Sequence, residues 1–167
     1  EAHELTKNSK TDLERIEALY NFAAKRIRYM SLVSFGIGGS EPRSASETLH
    51  NAYGDCKDKT ALLEALLEAE GLHASSVLIS GDREFDPDMP SPWPFDHVIA
   101  VLQVGKENIW MDPSPAFLRF RMLGYPLRGR QGLVVAPEGA SRLEKTPAQE
   151  ESLGFAFRAK SPDRGTR

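Results

Sequence analysis

The chain has 167 residues, 40% apolar and 27% charged, with a formal net charge of −3. That size and balance fit one globular domain with a sizeable core, and the mild negative charge argues against binding nucleic acid or an anionic membrane by overall electrostatics. The single cysteine excludes an internal disulfide, and no apolar run approaches the roughly 20 residues that cross a bilayer. No secretory signal is visible. The first residue is Glu1 rather than Met, as expected of a piece of a longer protein.

Residues 1–10 are polar and read as a linker, residues 11–144 as the domain, and 145–167 as a polar tail or linker. Thr11 with Glu14 is a capping-box signature, and Leu13, Ile16, Tyr20, Ala23 and Ile27 recur at helical spacing, predicting a helix to about Arg28. Residues 29–35 read as extended. Gly36-Ile37-Gly38-Gly39 breaks them and lacks the Gly-Lys-Ser/Thr ending of a phosphate loop. Ser44 with Glu47 is a second capping box and opens a short helix to about Asn51. The main helix runs over 56–70, capped by Asp55 and closed at Gly71. Leu62, Leu63, Leu66 and Leu67 make it central.

Residues 74–79 read as a strand and 81–95 as a loop rich in Asp and Pro. A hairpin of 97–104 and 109–112 turns through Gly105-Lys106. Turn signals and four arginines (Arg119, Arg121, Arg128, Arg130) fill 113–130, and 131–136 is the last strand expected. Helices first and strands after predict an α+β fold with an antiparallel sheet.

Cys56 is the chemically informative residue. A thiol at a helix N-terminus meets the positive end of the helix dipole, which favours the nucleophilic thiolate. Cys56, Thr60, Leu63 and Leu67 share one helix face. His97 and Asp112 lie fifteen residues apart across the hairpin, so an even-numbered loop puts both side chains on one sheet face. If the Cys56 helix lies against that face, a nucleophile, a base and an orienting acid converge. His97 would take the thiol proton, Asp112 would fix the imidazole, and the Cys56 backbone N–H would face the oxyanion. Asp55 opposes the thiolate, while Lys57 and Lys59 favour it. Each residue also has a plainer reading: Cys56 as a buried structural thiol, His97 as a satisfied core histidine, Asp112 before Pro113 as the start of a turn.

The spacing of Cys56, His97 and Asp112 matches no common zinc pattern, and Asp82, Glu84, Asp86 and Asp88 lack the glycine and terminal glutamate of a calcium loop. No metal or cofactor is called for. Phe85, Met89, Trp93 and Phe95 flank the histidine as a candidate substrate wall. The four arginines read as a solvated surface or as contacts for an acidic substrate or neighbouring domain. His3, His50 and His73 read as linker, surface or packing residues.

Tyr-Gly-Asp-Cys-Lys-Asp-Lys at 53–59, Phe-Asp-His-Val-Ile at 95–99 and Trp-Met-Asp-Pro at 110–113 resemble the transglutaminase-like superfamily. Within it, they are most similar to bacterial multidomain proteins with such a domain after an N-terminal β-rich domain of unknown function. The resemblance spans about 12–137. It implies a papain-like core with Cys56 as nucleophile, His97 as base and Asp112 as orienting acid. The shared chemistry is acyl transfer from peptide or peptide-like amides through a thioester, as in cysteine proteases, amidases and acyltransferases, with water or an amine as acceptor. No Gln precedes Cys56 as in papain-like proteases, and Trp93 and Trp110 both follow it, unlike the upstream tryptophan of animal transglutaminases. Tyr29 or Tyr53 is therefore the candidate second oxyanion contact. The resemblance further implies a peptide or protein substrate, neighbouring domains in the parent chain, and a periplasmic or cell-surface location. The alternatives are an inactive protein-binding or scaffolding module that keeps the fold, and a redox-sensing thiol.

Overall fold

The computed structural model describes residues 1–31, 41–84, 95–136 and 140–148. Three of its helices start where a short polar side chain accepts a first-turn N–H. Thr11 accepts from Glu14 N ahead of α2 (Asp12–Arg26), Ser44 from Glu47 N ahead of α3 (Ala45–Asn51), and Asp55 from Asp58 N ahead of α4 (Cys56–Glu68). The expected linker contains a short helix, α1 (Ala2–Thr6). Ala2 and Leu5 join the main core, a contribution too brief to stand out as a periodic pattern.

Helix α2 ends at Arg26, slightly before the expected Arg28, because Ile27 turns extended. Arg28–Tyr29 then forms β1, which pairs in parallel with β2 (Tyr53–Gly54). Arg28 N donates to Ala52 O at 2.9 Å and Met30 N to Gly54 O at 2.9 Å. This two-residue pairing brings Tyr29 beside the start of α4. Much of the expected extended run, and the glycine cluster after it, lies outside the described residues.

The main sheet has five antiparallel strands in the order β5-β4-β3-β6-β7: β3 (Ala74–Ile79), β4 (His97–Val104), β5 (Glu107–Met111), β6 (Gln131–Val134) and β7 (Arg142–Lys145). The hairpin turns through Gly105-Lys106 as expected, with Val104 opposite Glu107. Gly105 has φ +62°, which glycine adopts without steric penalty. The last expected strand is shorter than 131–136, and β7 was not foreseen, since its Arg-Leu-Glu-Lys sequence reads as polar surface. Asn108 Nδ2 of β5 donates to Glu144 Oε2 of β7 at 3.0 Å, so the sheet curls until its two outer strands meet.

Strand alternation gives the sheet two apolar faces. Ala100, Leu102, Ile109 and Met111 pack against Leu62, Leu63, Leu66 and Leu67 of α4 and Ile16, Leu19 and Tyr20 of α2. Val77, Ile79, Ile99, Val101, Trp110 and Val134 form the other core with Leu123 and Leu127, from the stretch between β5 and β6. Burying each such aliphatic side chain is worth roughly 1.5–3 kcal/mol. The result is the expected α+β architecture, with α4 starting at Cys56 and packed against an antiparallel sheet.

Candidate active site

The start of α4 is held unusually firmly. Asp55 and Asp58 form a reciprocal capping box, with Asp58 N donating to Asp55 Oδ1 at 3.3 Å and Asp55 N to Asp58 Oδ2 at 3.2 Å. Asp58 is buried and also accepts from Arg43 N at 2.8 Å. A Cβ at position 54 would stand 2.6 Å from Asp58 Cβ, so Gly54 is what lets the chain pass. Cys56 is the first helical residue and is buried. Its N–H belongs to the first turn, where no intrahelical acceptor exists.

His97 opens β4, and its Nε2 lies 3.0 Å from Asp112 Oδ2. Asp112 is buried just past the end of β5, and its other oxygen, Oδ1, accepts from Ser114 N at 2.9 Å. The Asp112 carbonyl accepts from Tyr20 Oη at 3.0 Å. Since Ala100 pairs with Met111, one further step sets Asp112 opposite Ile99 and diagonal to His97. Both side chains share a face, as the separation predicted. That face is not the one covered by α4, however. It carries Ile99, Val101 and Trp110, while α4 packs on Ala100 and Leu102. The helix and the His–Asp pair approach each other around the strand ends, where Thr60 Oγ1 donates to Val98 O at 3.2 Å.

Burial alone would lower the His97 pKa. Hydrogen bonds to Asp112 and Cys56, and the charges of both, override it and raise the pKa to about 10. With Nε2 engaged by the carboxylate, Nδ1 is the nitrogen left for the thiol. Lys57 pairs with Asp55, so these two charges offset each other. Lys59 is fully buried and donates to Ala24 O at 3.0 Å, Ile27 O at 2.7 Å and Ser114 O at 3.4 Å. Burial lowers its pKa to about 8, with the Asp112 charge opposing.

Tyr53 and Tyr29 differ. The Arg43 guanidinium lies 5.2 Å from the centre of the Tyr53 ring and occupies that face. Tyr29 is 44% exposed. Its pKa is raised by partial burial and then by the charges of Cys56 and Asp55, which keeps the hydroxyl protonated as a donor. Phe95 is half-buried; Phe85, Met89 and Trp93 lie outside the described residues, as do Asp86 and Asp88. A cleft of about 680 Å³ borders His97 and Asp112, walled mainly by residues 115–127. Among the described residues, no three His, Cys, Asp or Glu side chains are grouped to hold a metal ion, and no helix is long and apolar enough to cross a membrane. The arginines are dispersed: Arg121 pairs with Glu107, Arg128 Nε donates to Leu123 O, and Arg130 Nε to Pro126 O.

Sequence reasoning missed Tyr20, Lys59 and Ser114 as supports of this site. The Asp112-Pro113-Ser114 turn was visible, as an Asp whose side chain accepts from the N–H two residues on. The destinations of the Tyr20 hydroxyl and Lys59 ammonium depend on tertiary packing.

A solved structure shares the fold. A "putative protease" from Parabacteroides distasonis superimposes with a TM-score of 0.62 at 18% identity, covering 89% of this chain and 27% of that one. A "putative cysteine protease" from Cytophaga hutchinsonii aligns with a TM-score of 0.49 at 21% identity over 68% of this chain and 35% of that one. The chain thus spans about a third or less of either protein. No curated protein matches it by sequence. The sequence profile of the transglutaminase-like superfamily matches residues 2–111, a span that includes Cys56 and His97 and stops one residue before Asp112. The chain belongs to the transglutaminase-like superfamily.

Proposed function

We propose that the protein is a thiol acyl-transfer enzyme acting on peptide or peptide-like amides, with Cys56 as nucleophile, His97 as acid and base, and Asp112 as the orienting carboxylate. One observation carries this reading. An imidazole bonded to a buried carboxylate is near enough to a helix-start thiol for both groups to raise its pKa to about 10. At neutral pH such an imidazole holds a proton, which it takes from the Cys56 thiol.

The thiolate attacks the amide carbonyl carbon. The developing oxyanion is met by the Cys56 backbone N–H and, on the exposed side, by the Tyr29 hydroxyl. The imidazolium Nδ1–H protonates the leaving amine as the C–N bond breaks, giving a thioester and neutral His97. Water or a second amine then loses a proton to His97 and attacks the thioester. Thiolate departs, and the imidazolium is restored. Hydrolysis is favoured over transamidation because water needs no second substrate site.

The test is the rate of Cys56 alkylation by iodoacetamide against pH, in wild type and His97→Ala. Wild type should react with an apparent pKa well below the free-thiol value of ~8.5, and His97→Ala should return to it. If both titrate together near ~8.5, the acyl-transfer reading is wrong and an inactive binding module takes its place.

A further inference from the structure

We propose that Tyr20 is a positioning residue for the His97–Asp112 pair, its hydroxyl holding the Asp112 main chain so that the carboxylate stays aimed at the imidazole. The proposal rests on the acyl-transfer reading of Cys56. The two partners are anchored unequally. His97 lies in the sheet ladder opposite Ile79 of β3, and Asp96 N just before it donates to Ile79 O at 3.3 Å. Asp112 lies beyond the last β4–β5 pair, Ala100 with Met111. Pro113 follows it and has no N–H with which to extend the ladder. Side-chain donors from the helices take over where the ladder stops.

Tyr20 Oη donates from α2 to Asp112 O at 3.0 Å, and Leu118 O lies 3.3 Å from the same hydroxyl. Its one proton thus serves the two carbonyls that bracket residues 112–118. Between them, Lys59 Nζ of α4 reaches Ser114 O at 3.4 Å. The Tyr20 ring is fully buried, with its centroid 5.7 Å from that of Phe120, so the hydroxyl is presented from one fixed direction. Burial, then the charge of Asp112, raises its pKa, which keeps the proton on the oxygen. The carboxylate bonds Ser114 N through Oδ1 and His97 through Oδ2. Ser114 belongs to the same turn and moves with Asp112, whereas His97 is held by β3. A shift of the Asp112 main chain is therefore taken up at the bond to the imidazole.

The test compares wild type with Tyr20→Phe, which removes the hydroxyl and keeps the ring beside Phe120. Two readouts need no substrate: the His97 pKa by NMR titration of its ring, and the pH dependence of Cys56 alkylation by iodoacetamide. In Tyr20→Phe the His97 pKa should fall by about one unit, and the apparent pKa of the thiol should rise by a similar amount. Ile16→Val trims the same helix inside the same core and is the control for stability alone. It should lower the melting temperature and leave both pKa values in place. A Tyr20→Phe protein that melts earlier with both pKa values unchanged would overturn this proposal alone, leaving the hydroxyl as a structural hydrogen bond. A wild-type thiol that titrates near ~8.5 would overturn the acyl-transfer reading instead, and the His97 comparison would still decide the role of Tyr20.

Discussion

Asp112 stands between two bases, the half-buried His97 and the buried Lys59, that it treats differently. On one side, His97 receives Oδ2 directly at 3.0 Å, and its pKa rises to about 10 against the pull of burial. On the other, Lys59 feels the carboxylate only through its charge. Its hydrogen bonds go to three neutral carbonyls, and its pKa falls to about 8. Burial is common to both. What reverses the outcome is whether the partner in contact is an ion or a dipole, since carbonyl dipoles replace only part of the lost hydration of an ammonium. The lysine cradle thus ties the end of α2 to the loop after Asp112, while the histidine side holds a proton.

Removing the shared carboxylate should break this contrast most severely. In Asp112→Asn, the His97 pKa should fall from about 10 toward 6.5, read by NMR titration of its ring. Acyl transfer should slow by on the order of 10³- to 10⁴-fold, as expected when a triad loses its orienting charge. Fold loss should be slight, because the amide oxygen can still accept from Ser114 N. A His97 that still titrates near 10 in this variant would refute the role given to the carboxylate.

The opposite shifts also predict opposite pH slopes of stability. His97 binds its proton more tightly when folded, so its contribution is complete below pH 6.5 and is lost as pH rises to about 10. Lys59 binds its proton less tightly when folded, so stability rises between about pH 8 and 10.5. Denaturant titrations should therefore show His97→Gln without the falling limb and Lys59→Met without the rising one. Lys59→Met should also cost about 1–3 kcal/mol, because three buried carbonyls lose their donor. The smallest effect belongs to Ser114→Ala. Asp112 uses the backbone N–H of this residue, and its buried hydroxyl has no partner among the described residues, so thermal melts should agree within about 0.5 kcal/mol.

The parts of this arrangement legible in the sequence are those governed by local rules. Caps at Thr11, Ser44 and Asp55, leucine spacing in α4, and the two-residue loop at Gly105-Lys106 each depend on neighbours a few positions away. The odd separation of His97 and Asp112 correctly set them on one face. The condition that the Cys56 helix cover that same face was not met, and parity could not decide it, since parity relates two strands to each other and not to a third element. Pairings such as Tyr29 with Gly54, or the three acceptors of Lys59, join distant segments and leave no periodic trace. For Asp112, the plain and the chemical reading are compatible, since Oδ1 makes the turn and Oδ2 meets the imidazole.

The curl of the sheet matters beyond the cleft. Open strand borders invite neighbouring chains to add strands and grow aggregates. Here the two borders approach one another through Asn108 and Glu144 and carry charged side chains, Glu107 on one and Arg142 and Lys145 on the other. The two outer strands thereby offer little free backbone for another chain, or for a second copy of this one, to extend.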